Sequence, residues 1–120
     1  MNEQQFLESL FEVSELFRLA QGEIQAEWAP EKVPGITRFE ALGTCAADNF
    51  HLMNERVRES LFDLIELGIV DGDEPLRTAI CTGLIEALAV LSANDATLWV
   101  DVRRLMRERS GAHADAWLSL

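Results

Sequence analysis

Proline and glycine are scarce in this chain, at 3 and 7 of 120 residues. Few chain-breaking residues beside abundant Leu, Ala and Glu favour helix over strand. No low-complexity run interrupts a sequence that is 48% hydrophobic, which excludes wholesale disorder. The start, Met1-Asn2-Glu3-Gln4-Gln5, has neither the basic nor the apolar region of a signal peptide. No apolar stretch approaches the roughly 20 residues that span a bilayer. The expectation is a cytoplasmic chain with no membrane partner. There are only two cysteines, Cys45 and Cys81, each among small or apolar neighbours. In a cytoplasmic chain they are expected to be free, buried thiols rather than a disulfide. Two isolated Cys and two distant His, His51 and His113, lack the paired spacing of a zinc site.

Acidic charge, by contrast, is plentiful and unevenly placed. Residues 1–76 hold 16 of the 21 acids and 5 of the 10 Lys/Arg, so they carry the whole formal net charge of −11. Residues 77–120 hold five of each sign. A surface this acidic repels nucleic acid and anionic lipid and attracts basic proteins.

A chain of 120 residues makes one domain, able to bury about two-thirds of its unfolded surface. Phe6, Leu10, Val13, Phe17, Ala20, Ile24 and Trp28 recur at helical spacing, predicting one long first helix from an Asn2 cap to about Trp28. Glu8, Glu12, Glu15 and Glu23 fall on its opposite face. Pro30 and Pro34-Gly35 mark the clearest loop. A second helix is expected from Thr37, with Glu40 completing a capping box, to about His51. Gly43 and the small run Thr44-Cys45-Ala46-Ala47 suggest close approach to a neighbour. A third helix spans about Asn54 to Leu67, with Val57, Leu61, Leu64, Ile65 and Gly68 inward.

Asp73 and Pro75 then start a fourth helix, which carries Leu76, Ile80, Leu84, Ala87, Leu88 and Leu91 and should form a hairpin with the third. Asn94 or Asp95 caps a fifth, with Leu98, Val102, Leu105 and Met106 inward, and Ser110-Gly111 separates a last short helix bearing Trp117 and Leu118. The fold class expected is all-α: one domain, residues 1–120, of about six helices packed as antiparallel hairpins.

Catalytic signals are thin. Asp48 and His51, three residues apart, could share a helix face as an acid–base pair, yet no nucleophile motif accompanies them. A locally paired His at a helix end accounts for them. His113 has no partner in sequence. Asp71, Asp73 and Glu74 lack the later ligands of a calcium loop, and acids in a first helical turn answer the helix dipole. No cofactor, metal site or enzymatic activity is expected. The Arg103, Arg104, Arg107 and Arg109 cluster suits its own helix C-terminus and internal carboxylates better than phosphate.

The third helix carries the best candidate partner-binding surface. Glu55, Glu59, Asp63 and Glu66, spaced 4, 4 and 3, lie in one arc opposite the apolar residues. Like charges at such spacing repel, by a few tenths of a kcal/mol per pair, and a basic partner would relieve that repulsion.

The run Gly72-Asp73-Glu74-Pro75-Leu76-Arg77-Thr78-Ala79-Ile80-Cys81-Thr82-Gly83-Leu84-Ile85-Glu86-Ala87-Leu88 resembles a helix start and core helix common in small bacterial proteins. Leu61 to Glu66 resembles the helix before that turn, and Leu105 to Gly111 is similar to the closing helix. The proteins resembled are immunity proteins of polymorphic toxin systems, and the likeness spans residues 57–118. Asp73, Glu74, Gly83, Glu86 and Leu88 match as cap, packing and core residues, so the resemblance transfers no catalytic residue and no fixed toxin contact. It implies a toxin-neutralising binder without chemistry, whose partner is a cognate toxin with a basic surface. The competing expectation is a helical adaptor or secretion chaperone, which should expose an apolar groove for a protein client.

Overall fold

In the computed structural model, which describes Met1–Leu120, seven helices and one short 3-10 turn make up the chain, with no strand. They are α1 (Glu3–Val13), α2 (Glu15–Trp28), α3 (Gly35–Asn49), α4 (Glu55–Asp71), α5 (Glu74–Ala93), α6 (Ala96–Leu105) and α7 (Glu108–Leu118). The 3-10 turn, Phe50–Leu52, joins α3 to α4.

Side-chain caps set most starts. Asn2 and Gln5 form a reciprocal capping box on α1, with each side chain accepting the other's backbone N–H at 2.9 and 3.0 Å. Asn54, Asp73 and Asp95 accept from the first-turn amides of α4, α5 and α6.

The expected first helix is divided. Ser14 is extended (φ −158°, ψ 136°), and its hydroxyl accepts the Leu16 N–H at 3.2 Å, closing α1 and opening α2. The break lets one apolar stripe serve two neighbours: α1 lies along α4, and α2 along α3. Phe6, Leu10 and Phe17 are fully buried as expected, whereas Val13, Ala20, Ile24 and Trp28 are only half-buried.

The second helix begins at Gly35 behind Pro34, so Thr37 and Glu40 form no capping box. The fifth helix ends earlier than expected. Met106 is extended, and Ser110-Gly111 lies buried inside α7 instead of separating two helices. A methyl on Gly111 would come within 2.7 Å of the Arg103 guanidinium that crosses α7, and that side-chain end would have to shift.

The core centres on α5, which packs chiefly on α3. A Cβ on Gly83 would stand only 2.8 Å from the Ile36 carbonyl oxygen and from Phe39 Cβ, and one on Gly43 would run into the Leu84 carbonyl and Ala87. The expected close approach at Gly43 is therefore made to α5. Between Ala79 and Ile85 the helix widens into π geometry, where these contacts lie. Gly68 faces Ile80 and Gly72 faces Leu76, so α4 and α5 leave their turn as the predicted hairpin. Five phenylalanines, Phe6, Phe17, Phe39, Phe50 and Phe62, are fully buried, and the rings of Phe6 and Phe39 stack at 5.5 Å. By length and composition α5 could cross a bilayer, but here it is the central helix, with half of its apolar window buried.

Candidate functional site

The four acids of α4 do not act alike. Glu55 and Glu59 are exposed and form no ion pair. Asp63 accepts from Arg107 Nε at 3.0 Å and Nη2 at 2.9 Å. Glu66 accepts the backbone N–H groups of Arg109 and Ser110 at 2.8 and 3.0 Å, so its carboxylate caps α7. A carboxylate at a helix N-terminus satisfies orphan donors and opposes the dipole's positive end. Half of the candidate partner stripe thus joins α7 to α4. Sequence reasoning missed this because the carboxylates and their partners lie 43 or 44 residues apart.

Glu66→Ala is accordingly expected to destabilise the fold by about 0.5–2 kcal/mol, the usual range for losing a helix cap. Amide exchange should accelerate at Arg109 and Ser110 first. Unchanged exchange at both amides would show that the cap carries no weight.

Of the cluster of arginines, Arg103 forms a two-pronged bond to Asp115 at 2.9 and 2.8 Å. That bond holds the Asp115 carboxyl below its usual range and raises Arg103. Arg107 also donates to the Leu105 carbonyl at 2.7 Å. Both serve internal carboxylates, as their sequence suggested, while the side chains of Arg104 and Arg109 point to solvent. Arg58 lies 4.0 Å over the Phe50 ring and donates to its carbonyl.

Asp48 and His51 are both exposed, the one on α3 and the other on the 3-10 turn, with no hydrogen bond between them. His113 Nε2 lies 2.8 Å from Glu86 Oε2, tying α7 to α5. Asp73 is spent on capping α5, and no group of three or more His, Cys, Asp or Glu is placed to hold a metal ion.

A pronounced surface feature lies elsewhere. A cleft of about 420 Å³ runs between α2 and α3, with Leu16, Leu19, Ala20, Ile24, Ala41 and Cys45 as its apolar lining. Glu23 and Glu27 on α2 and Asp48 on α3 edge it, and no Lys or Arg lines it. The Cys45 thiol donates to the Leu16 carbonyl at 3.5 Å, so the start of α2 lies beside the end of α3. A second hollow, of about 360 Å³, flanks the other side of α3. Glu40, Val90, Leu91 and Trp117 line it, and Thr44 lines both hollows. Sequence reasoning placed Ile24 in the core and Glu23 on an outer face. The apolar stripe of α2 outruns the core, leaving both residues beside open space.

Cys45 and Cys81 are free. Burial pushes both thiols up, and Asp48 and Glu23 push Cys45 further while an Asn49 hydrogen bond opposes them. Thiols held in the protonated form are poor nucleophiles. Alkylation at neutral pH should therefore be slow in the native protein and rapid in urea, with two sulfhydryls counted. Equally fast native alkylation would contradict this environment.

No protein-family model, curated protein or solved structure matches the chain.

Proposed function

We propose that this chain is an immunity protein, which binds a cognate bacterial toxin in the cytoplasm and neutralises it through an acidic surface, without catalysis. The observation that supports the reading most is how charge is distributed. Arg18, Arg38, Arg103 and Arg107 are held in ion pairs within the chain. The exposed cations without one, Lys32, Arg56, Arg77, Arg104 and Arg109, are outnumbered by exposed acids without one, among them Glu23, Glu27, Glu55, Glu59 and Asp48. An uncompensated acidic exterior steers association with a basic protein, and its benefit falls as salt rises. Toxin domains that act on nucleic acid carry basic clefts, which such a surface would occupy.

The test is co-expression with the toxin domain of a secreted protein encoded beside this chain. Protection of the host cell and a one-to-one complex that weakens with salt are expected. Host cells that die equally with and without the chain would remove the reading.

The apolar lining of the α2/α3 cleft favours a second reading, an adaptor or secretion chaperone for a protein client. In that case the chain would bind an unfolded client segment and leave the toxin's activity unchanged.

A further inference from the structure

We propose that the cleft between α2 and α3 is a docking groove for a cationic amphipathic helix of a partner protein. The proposal rests on the reading above, under which that helix belongs to the toxin. The lining of the cleft is mixed: six apolar residues are interspersed with Glu23, Glu27, Thr44, Asp48 and Asn49, and Leu19, at 56% exposure, is a large side chain left largely uncovered. Small residues, Ala20 on α2 and Ala41 on α3, leave the two helices with space between them instead of closed packing.

The rim is acidic on both walls. Glu23 and Glu27 are one turn apart on α2, and Asp48 stands on α3. None of the three makes an ion pair, and Arg18, the cation of α2, is bridged to Glu15 at 3.1 Å. Carboxylates at i, i+4 with no cation between them repel. A ligand with Lys or Arg along both edges would relieve that repulsion.

These two chemistries select one occupant. An apolar ridge flanked on both sides by cations is the geometry of an amphipathic helix laid in a groove, with anchors at i, i+3 or i+4 and i+7. A second copy of this chain would bring the same carboxylates against each other, and an anionic lipid surface would meet the same repulsion. The hollow beyond Thr44, with its own Glu40 and exposed Trp117, continues the groove's character across α3.

The test uses the full chain and a synthetic peptide of about 15 residues, long enough to form a helix. Leu and Lys are ordered to give one apolar and one cationic face, and the control is the same composition scrambled. Backbone amide shifts of Ala20, Ile24, Ala41, Thr44 and Cys45 should move with the ordered peptide and not with the scrambled one. Glu23→Lys with Glu27→Lys should weaken binding about tenfold or more, and Leu19→Ser should weaken it as well. Glu55→Lys with Glu59→Lys should leave it unchanged.

All five substituted positions are exposed and make no side-chain hydrogen bond, so every variant should stay folded, and only the Glu55/Glu59 variant, which puts a cation in the first turn of α4, should melt slightly earlier than the parent. Equal binding of the scrambled peptide would overturn the proposal. So would an equal loss in the Glu55/Glu59 variant, self-association through the cleft, or binding to phosphatidylglycerol vesicles. A chain that gives no protection against the toxin while its cleft still takes the ordered peptide would sink the function above and leave the groove standing. Full protection by the Glu23/Glu27 variant would remove the groove as the toxin-facing site.

Discussion

Leu84→Ala should destabilise the protein by about 2–5 kcal/mol, as large-to-small changes in a closed core do. Leu84 is fully buried in the π segment of α5, where α5 and α3 are in closest contact. Removing its isobutyl group loses the transfer energy of the buried atoms and leaves a void between rigid backbones. Gly43 fixes the Leu84 carbonyl from one side, so the helices cannot close readily on the space. Urea unfolding followed by circular dichroism measures the change. A cost below about 0.5 kcal/mol would show that Leu84 carries little of the packing, since that is the scale of an ordinary surface substitution.

The second large effect should come from adding one carbon. On Gly43, a methyl group would overlap the Leu84 carbonyl oxygen and stand 3.1 Å from Ala87 Cβ. The obstructing atoms are backbone, which no change of rotamer can move. Gly43→Ala should therefore separate α3 from α5 and cost about 1–3 kcal/mol, despite the better helix propensity of alanine. Gly22 is the control, because a methyl there meets nothing within 4 Å. Gly22→Ala should stabilise α2 by up to about 1 kcal/mol. The pair isolates contact from propensity. If both substitutions shift the urea midpoint in the same direction, the close approach at Gly43 has no energetic weight.

Much of the scaffold was legible residue by residue. The caps at Asn2, Asp73 and Asp95 act through groups two or three positions away, so local sequence contains both partners. The inward positions of α4 follow from helical periodicity, and Leu61, Leu64, Ile65 and Gly68 are buried as expected. The all-α class follows from the same periodicity and from the scarcity of breakers.

What sequence could not place depends on neighbours remote in the chain. Ser14 ends α1 although the apolar spacing runs straight through it; its hydroxyl opens α2, and the packing partners, α4 for α1 and α3 for α2, are remote in the chain. Ser110-Gly111 has the composition of a break, yet it is helical because Glu66 caps its turn and Arg103 crosses over the glycine. The acidic arc of α4 was visible as four carboxylates on one face, but only packing against α7 divides it into two internal anchors and two free charges.

The sequence by itself determined the helical class, most of the caps and the excess of acid, since each follows from composition or from spacings within one helix. The tertiary structure decided which carboxylates remain free and where apolar surface stays uncovered. Both depend on how the helices stack, because a side chain's burial and pairing are set by the element laid across it.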